Sequence, residues 1–205
     1  MSTNTTLVWR KKLKELEIVV VIPTYNNGKT LAAVIEEVCR YADDIIVVND
    51  GSTDDTTNIL EQYPAIRTIT HPVNKGKGTA LKHGLSQAKK EGFRYAITID
   101  SDGQHFASDI PCFIEAIEKE PDTLLVGARN LASDNMPGKN TFANKFSNFW
   151  FRLETGLKLE DTQSGYRLYP LRKMDVQSCW YTAKYEFELE AIVFAAWGDV
   201  AVKNI

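Results

Sequence analysis

Short runs of apolar, β-branched residues alternate along the chain with longer segments in which apolar residues recur every three or four positions. The first run, Ile18 to Ile22, is apolar at every position and stops at Pro23, which is typical of a strand buried on both faces. The segment from Thr30 to Tyr41 then places its apolar residues at helical spacing. The pattern therefore begins with a strand and a helix.

The same alternation continues as far as Arg129. It predicts strands at 45–48, 66–70, 95–99 and 123–127, and helices at 54–63, 79–91 and 109–119. Strands and helices that alternate at this spacing are joined by right-handed βαβ crossovers. The sequence therefore predicts an α/β fold, with a mainly parallel central sheet and helices on both faces.

Beyond Arg129 the alternation is less regular. The pattern indicates a polar loop at 131–141, an aromatic-rich helix at 140–157, a strand at 166–169, a helix at 185–197 and a final strand at 200–205. Because a strand ends the sequence, we expect a chain that is truncated at its C-terminus. The predicted organisation is an N-terminal leader, residues 1–17, followed by one catalytic domain, residues 18–205.

Composition narrows the class of protein. A chain of 205 residues with a net charge of -3 suits one soluble domain and argues against a nucleic-acid-binding surface. The three cysteines lack metal-ligand spacing, which favours reduced thiols and a cytoplasmic location. No apolar run has the length of a membrane span. The basic segment 9–14 is compatible with peripheral contact at the inner face of a membrane, although a solvated leader helix is the favoured interpretation.

Polar residues collect where the predicted strands end, at 23–26, 49–52 and 100–105. Ligands of parallel sheets bind beyond the carboxyl ends of the strands, so these residues predict one cleft. Asp100 and Asp102 stand two residues apart in extended backbone and would converge on one side. Paired carboxylates, with Gln104 as a further oxygen donor, favour Mg²⁺ or Mn²⁺. The alternative is an acidic turn that caps the next helix.

Other polar residues have two interpretations each. Asp50 is placed to accept hydrogen bonds from a base or ribose, or else to cap a helix. The glycine-rich, basic segment 74–78 precedes a helix and suits a phosphate, but a flexible surface loop is equally compatible. Arg167 offers bidentate contacts to a diphosphate or a surface ion pair. Arg129 and Lys145 would add positive charge to the same opening, although for Lys145 a purely structural role is favoured.

Four motifs together resemble a known family. They are Val21-Ile22-Pro23-Thr24-Tyr25-Asn26, Val48-Asn49-Asp50-Gly51-Ser52-Thr53-Asp54, Asn74-Lys75-Gly76-Lys77-Gly78 and Asp100-Ser101-Asp102-Gly103-Gln104-His105. They look like the successive motifs of family-2 inverting glycosyltransferases, which have the nucleotide-diphospho-sugar transferase (GT-A) fold. Gln104, the segment 161–167 and the segment 185–190 resemble the polyprenyl-phosphate branch, the one that contains dolichol-phosphate mannosyltransferase.

The resemblance implies a role for each matching position. Pro23, Tyr25 and Asp50 would line the base and ribose pocket, and Lys77 would lie near the nucleotide. Asp100, Asp102 and Gln104 would hold the metal against the donor diphosphate. Arg129 would face the acceptor phosphate, and Arg167 would face the phosphate-rich centre of the site. Two departures from the family pattern are Asn49, where many relatives carry an acid, and the absence of the family's C-terminal membrane segments from these residues.

The expected activity is transfer of a sugar from a nucleotide-diphosphate donor, with inversion, to a polyprenyl phosphate. If the acceptor is instead a saccharide hydroxyl, a general base is required, and Asp161 and Glu188 are the candidates. A sugar nucleotidyltransferase is disfavoured because no glycine-rich signature follows the first strand. A non-catalytic nucleotide-binding module is disfavoured because both aspartates of the pair are present.

Overall fold

The computed structural model describes residues 3–127, 156, 159, 161, 162, 164–174 and 186–205. Arg129, Lys145 and the aromatic helix predicted at 140–157 lie outside these described residues.

Strands and helices follow the predicted order. The helices are α1 (Thr3–Glu15), α2 (Leu31–Val38), α3 (Thr56–Glu61), α4 (Lys77–Lys90), α5 (Ile110–Lys119) and α6 (Glu186–Trp197). The strands are β1 (Ile18–Thr24), β2 (Ile45–Asn49), β3 (Arg67–Thr70), β4 (Tyr95–Thr98), β5 (Leu124–Val126), β6 (Arg167–Pro170) and β7 (Val202–Asn204). Most predicted boundaries agree within one to three residues, which is the usual scatter at the ends of elements.

In the described residues, seven strands form one sheet in the order β3-β2-β1-β4-β6-β5-β7. β6 is antiparallel to both of its neighbours, β4 and β5, and the other pairs are parallel. The predicted α/β fold with a mainly parallel sheet is confirmed. The local pattern predicted a strand near β6 but not its direction, which depends on the path of the chain before it.

The sheet is covered on both faces, which explains why β1 is apolar at every position from Ile18 to Ile22. Ile18, Val20 and Ile22 pack into one core with α2 and α5, and Val19 and Val21 pack into a second core with α4 and α6. Successive side chains of a strand point to opposite faces, so an unbroken apolar run fills both layers. α1 joins the first core through Leu13, which is 2% exposed.

Gly84 allows α4 to lie close to the sheet. A Cβ at this position would lie 2.5 Å from Val21 Cγ1 and 3.1 Å from Val48 Cγ2. The close approach brings the first residue of α4, Lys77, to the edge where β1 and β4 end. The glycine therefore helps to place the candidate site.

Among the described helices, none combines the length and the apolar character needed to cross a bilayer. In the basic segment at 9–14, Arg10 forms an ion pair with Asp43 at 3.0 Å, and Lys12 pairs with Glu118 at 2.6 Å. These two cations are therefore engaged with the domain itself.

Candidate active site

A cleft of about 560 Å³ opens beyond the carboxyl ends of β1, β2 and β4. This volume is in the range of small-molecule sites. Its walls come from all three strand-end clusters and from the start of α4: Pro23, Thr24, Tyr25, Asn27, Asp50, Asn74, Gly76, Lys77, Ala80, Asp100, Ser101 and Asp102. The single cleft predicted from the polar clusters is therefore present.

Hydrogen bonds tie the strand-end loops to one another. Asn26, with φ of 54°, accepts the backbone N–H of Thr53 at 2.8 Å through its side chain. Asn27 donates to Ser101 Oγ at 2.7 Å, and Thr30 donates to the Ser101 carbonyl at 2.6 Å. The loops after β1, β2 and β4 thus form one connected rim, with Tyr25 44% exposed in the wall of the cleft.

Asp50 lies at the end of β2 and is only 2% exposed. Its Oδ1 accepts the backbone N–H of Lys75 at 2.9 Å, and its Oδ2 accepts that of Gly76 at 2.8 Å. His71 Nδ1 lies 2.6 Å from Asp50 Oδ1. The carboxylate faces the cleft and holds the loop at residues 74–78 in place. Its hydrogen bonds are therefore not those expected if it capped the helix after β2.

The segment 74–78 packs tightly at this anchor. Gly76 has φ of 93° and immediately precedes α4, a backbone conformation that favours glycine. A Cβ at Gly51 would lie 2.4 Å from the Val73 carbonyl carbon. Two glycines therefore let this loop lie directly over the end of β2. α4 begins at Lys77, two residues before the predicted start.

Lys77 forms the centre of a charged cluster. Its Nζ lies 2.8 Å from Asp100 Oδ1 and 3.1 Å from Glu188 Oε1, a residue of α6. Burial on its own would lower the pKa of Lys77, but the carboxylates of Glu188 and Asp100 outweigh it and raise that pKa well above its ordinary value. Lys77 is therefore a fixed positive charge in the wall of the cleft.

The carboxylates of the predicted metal site lie at the mouth of this cluster. Asp100 and Asp102 both line the cleft, whereas Gln104 is exposed and its backbone N–H donates to Asp102 Oδ1 at 2.9 Å. In the described part of the chain no three His, Cys, Asp or Glu side chains gather as a metal site. Mg²⁺ and Mn²⁺ commonly take one or two carboxylates and complete their shell with water and phosphate oxygens. Asp100 and Asp102 both present carboxylates to the cleft, which is the type of ligand that such an ion takes, and Asp100 also pairs with the ammonium of Lys77.

Arg167 is fully buried at the start of β6, with an exposed fraction of 0%. Its guanidinium donates to the carbonyls of Ser164 at 2.7 Å and Thr162 at 2.9 Å, and to the carbonyl of Glu188. These bonds hold the segment before β6 against α6. Contact of Arg167 with a bound phosphate would require some of them to break.

The two candidate general bases are also buried. Asp161 is 0% exposed and Glu188 is 5% exposed. Of the two, Glu188 reaches the cleft wall, through its ion pair with Lys77. The remaining predicted catalytic residue, Arg129, lies outside the described residues.

Sequence reasoning missed two histidines of the site, and within the segment 161–167 it missed the packing role of Gly165. His71 continues β3 beside Asp50, since its backbone N–H donates to the Asn49 carbonyl at 2.9 Å. Its place directly after a strand was the signal that could have identified it. His83 gives no such signal because it lies within α4. Gly165 lies behind the charged cluster, where a Cβ would come within 2.9 Å of Lys77 Nζ.

Comparisons with known proteins agree with this geometry. The model of the family described as glycosyl transferase family 2 matches residues 19–176. UDP-N-acetylglucosamine–dolichyl-phosphate N-acetylglucosaminyltransferase of Methanococcus voltae is 31% identical over 214 residues, covering 92% of this chain and 85% of that protein. Polyprenol monophosphomannose synthase of Mycolicibacterium smegmatis is 27% identical over 172 residues, covering 78% of this chain and 64% of that protein.

A solved structure shares the fold. Glucosyl-3-phosphoglycerate synthase from Mycobacterium tuberculosis, in complex with Mn²⁺, UDP-glucose and phosphoglyceric acid, superposes with a TM-score of 0.72. The two chains are 21% identical, and the match covers 100% of this chain and 74% of that one. The GT-A fold that the motifs predicted is confirmed by this likeness.

Proposed function

Because the chain belongs to glycosyl transferase family 2, we propose that it transfers a sugar, with inversion, from a nucleoside-diphosphate donor to a polyprenyl phosphate. The observation that carries this proposal is the cleft itself, in which the two strand-end aspartates, Asp100 and Asp102, lie beside the fixed cation Lys77. The names of the relatives in Methanococcus voltae and Mycolicibacterium smegmatis support the class of acceptor.

The donor would lie along the rim of the cleft. Pro23 and Tyr25 would contact the base, next to the end of β2 where Asp50 holds the loop 74–78. Lys77, at the first turn of α4, would approach the diphosphate, since its charge and the positive end of the helix both favour an anion there. Positioning of this kind lowers the entropic part of the barrier before any bond changes.

Asp100 and Asp102 would hold Mg²⁺ or Mn²⁺, with Gln104 adjacent. When bound, such an ion would stabilise negative charge on the departing nucleoside diphosphate. The solved synthase is in complex with both Mn²⁺ and UDP-glucose, which supports this assignment.

The acceptor decides whether a base is needed. A lipid phosphate is already anionic, so its oxygen attacks the anomeric carbon without a proton being removed. Arg129, and Arg167 if its carbonyl contacts open, would then orient the acceptor phosphate. A saccharide hydroxyl would instead require Asp161 or Glu188 as base. Glu188 already forms an ion pair with Lys77, which favours the lipid phosphate. We propose that such a reaction takes place at the cytoplasmic face of a membrane, since the acceptors named for the relatives are lipid phosphates.

The test is an assay of nucleoside-diphosphate release. UDP-sugars and GDP-sugars are supplied with Mg²⁺ or Mn²⁺, each with and without a short-chain polyprenyl phosphate in detergent. We expect release only when the lipid phosphate is present, together with a sugar-phospholipid product whose anomeric configuration is opposite to that of the donor. Release that depends on a saccharide hydroxyl would overturn the acceptor assignment, and retention of configuration would overturn the inverting mechanism.

A further inference from the structure

A chain of three side chains runs from the cleft to the outer surface of the protein. Asp50 Oδ1 lies 2.6 Å from His71 Nδ1, and His71 Nε2 lies 2.7 Å from His83 Nδ1. Asp50 and His71 are 2% and 4% exposed, whereas His83 is exposed on α4. The two rings meet edge to face, with centroids 4.7 Å apart. Neither histidine belongs to the motifs that identify the donor cleft.

For a neutral His71, the hydrogen bonds determine where each proton lies. Asp50 accepts two backbone N–H groups, from Lys75 and Gly76, so it acts as an acceptor towards His71 as well. His71 must then donate from Nδ1. In a neutral ring its Nε2 is an acceptor, and His83 must donate to it from Nδ1. The exposed His83 thus selects the His71 tautomer that bonds to Asp50.

The surroundings of His83 are compatible with a neutral ring near neutral pH. Burial is the largest of the effects that lower the pKa of His83, the cations Lys75 and Lys90 act in the same direction, and Asp50 acts in the opposite direction. A neutral His83 has one ring proton, and the bond to His71 Nε2 requires that proton to be on Nδ1. The hydrogen bonds that join Asp50, His71 and His83 therefore form without an added proton.

Asp50 connects the two histidines to the loop in the wall of the cleft. Its two oxygens hold the backbone at Lys75 and Gly76, and α4 starts at the next residue, Lys77. A carboxylate that is free to rotate would release both N–H groups. Lys77 would then lose the fixed start of the helix that places its ammonium beside Asp100.

We propose that His71 is a positioning residue for the donor-binding loop: with its tautomer set by His83, it orients Asp50, which holds residues 74–76 in the form that receives the nucleoside diphosphate. His71 and His83 do not contact the reacting atoms in this scheme. The proposal rests on the proposed function for the identity of the ligand. The positioning of the loop itself can be measured without any ligand.

The first experiment compares wild type with His71→Asn and His71→Phe. Asparagine places an amide N–H where the ring Nδ1–H was, and phenylalanine keeps the ring shape without a donor. Amide hydrogen exchange at Lys75 and Gly76 is followed by NMR, and binding of UDP and GDP by calorimetry. We expect the phenylalanine variant to exchange at these amides at least about 10-fold faster and to bind its nucleotide about 10-fold more weakly, as for loss of a charge-assisted bond. The asparagine variant should retain most of both properties.

The second experiment uses His83→Ala, at an exposed position where folding is not at risk. In ¹⁵N spectra of the wild-type imidazoles, His71 should carry its proton on Nδ1. In the variant the Nε2 signal of His71 should move, and nucleotide affinity should fall by about 2- to 5-fold, as for one neutral hydrogen bond. Gln87→Ala is the matched control on α4, because Gln87 bonds to Glu91 at 2.8 Å, away from Asp50.

The outcomes separate the two proposals. If the Lys75 and Gly76 amides stay protected in His71→Phe, or if the wild-type proton lies on His71 Nε2, the positioning role is overturned. An unchanged His71 Nε2 signal in His83→Ala overturns the part assigned to His83. If loop protection falls in His71→Phe but wild type binds no nucleoside diphosphate, the positioning of the loop is supported and the proposed function fails.

Discussion

Gly165 lies directly against the carboxylate of Asp100: a Cβ at Gly165 would sit 2.4 Å from Asp100 Oδ2. The same Cβ would be 2.9 Å from Glu188 Oε1. No side chain larger than hydrogen fits there unless the charged cluster moves. The carbonyl of Gly165 also accepts a hydrogen bond from Thr98 Oγ1 at 2.8 Å, which fixes the backbone against β4.

Gly165→Ala should therefore lower activity without unfolding the protein. The added methyl group would displace the Asp100 carboxylate, and a shift of about 1 Å at a catalytic group can cost about 100-fold in rate. The measurement is kcat/KM for sugar transfer, with circular dichroism to check folding. Gly198→Ala, beyond the end of α6, is the control. Full activity in Gly165→Ala would show that the cluster tolerates displacement.

Lys77→Met should weaken binding of the donor nucleotide. Methionine keeps much of the apolar stem but removes the cation shared by Asp100 and Glu188, so two carboxylates would face an anionic ligand without compensation. A charge-assisted contact is worth about 1.5–3 kcal/mol, which corresponds to a loss of affinity of about 10- to 100-fold. Calorimetry with UDP and GDP measures it, and Lys90→Met at the other end of α4 is the control. Unchanged affinity would remove Lys77 from the donor site.

The sequence predicted the framework of this site because its signals are local. Apolar runs identify strands, and polar residues directly after them lie at one edge of a parallel sheet, so Asp50, Asp100 and Asp102 were expected in one cleft. The ion pair between Lys77 and Glu188 was not expected. It joins residues far apart in sequence, and their meeting depends on how α6 packs against α4.

Arg167 and the two histidines mark the limit of sequence reasoning. An arginine in a polar segment is typical of an anion site or a surface ion pair, because a cation is rarely buried without an anionic partner. Among the described partners of Arg167, three backbone carbonyls take that place. His71 and His83 had no motif around them, and they meet because α4 packs against β2, whose last residue, Asn49, accepts the backbone N–H of His71.

Asp102→Asn should abolish most of the metal-dependent activity. The amide oxygen can still accept the N–H of Gln104, so the turn is kept while one negative charge is lost. Loss of one electrostatic contact to the transition state costs about 100- to 1,000-fold in kcat. Binding of Mn²⁺, measured by electron paramagnetic resonance, should weaken in parallel. Asp109→Asn, exposed a few residues later, is the control. Mn²⁺ binding equal to that of wild type would contradict the assignment of Asp102.

Gly84→Ala should destabilise the fold. The new methyl group would overlap Val21 Cγ1 at 2.5 Å, and overpacking of a core costs about 1–3 kcal/mol. Urea unfolding measures the loss as a lower midpoint with an unchanged slope. Val21→Ala removes the overlapping atom, so Gly84→Ala should cost less in that background than in wild type. Equal costs in both backgrounds would place the strain elsewhere.

Arg167→Met and Arg167→Lys test whether Arg167 supports the fold or binds phosphate. Removing the guanidinium leaves the carbonyls of Thr162, Ser164 and Glu188 without their donor in a buried site. Each unsatisfied group costs about 1–3 kcal/mol, so both variants should lower the free energy of unfolding by about 3 kcal/mol or more. Lysine cannot rescue the loss because its three donors lack the planar fork of arginine. Chemical denaturation gives the free energy, and nucleotide affinity is measured on the fraction that stays folded. Variants of normal stability that lose only transfer to the lipid phosphate would instead show that Arg167 releases its carbonyl contacts and binds substrate during the reaction.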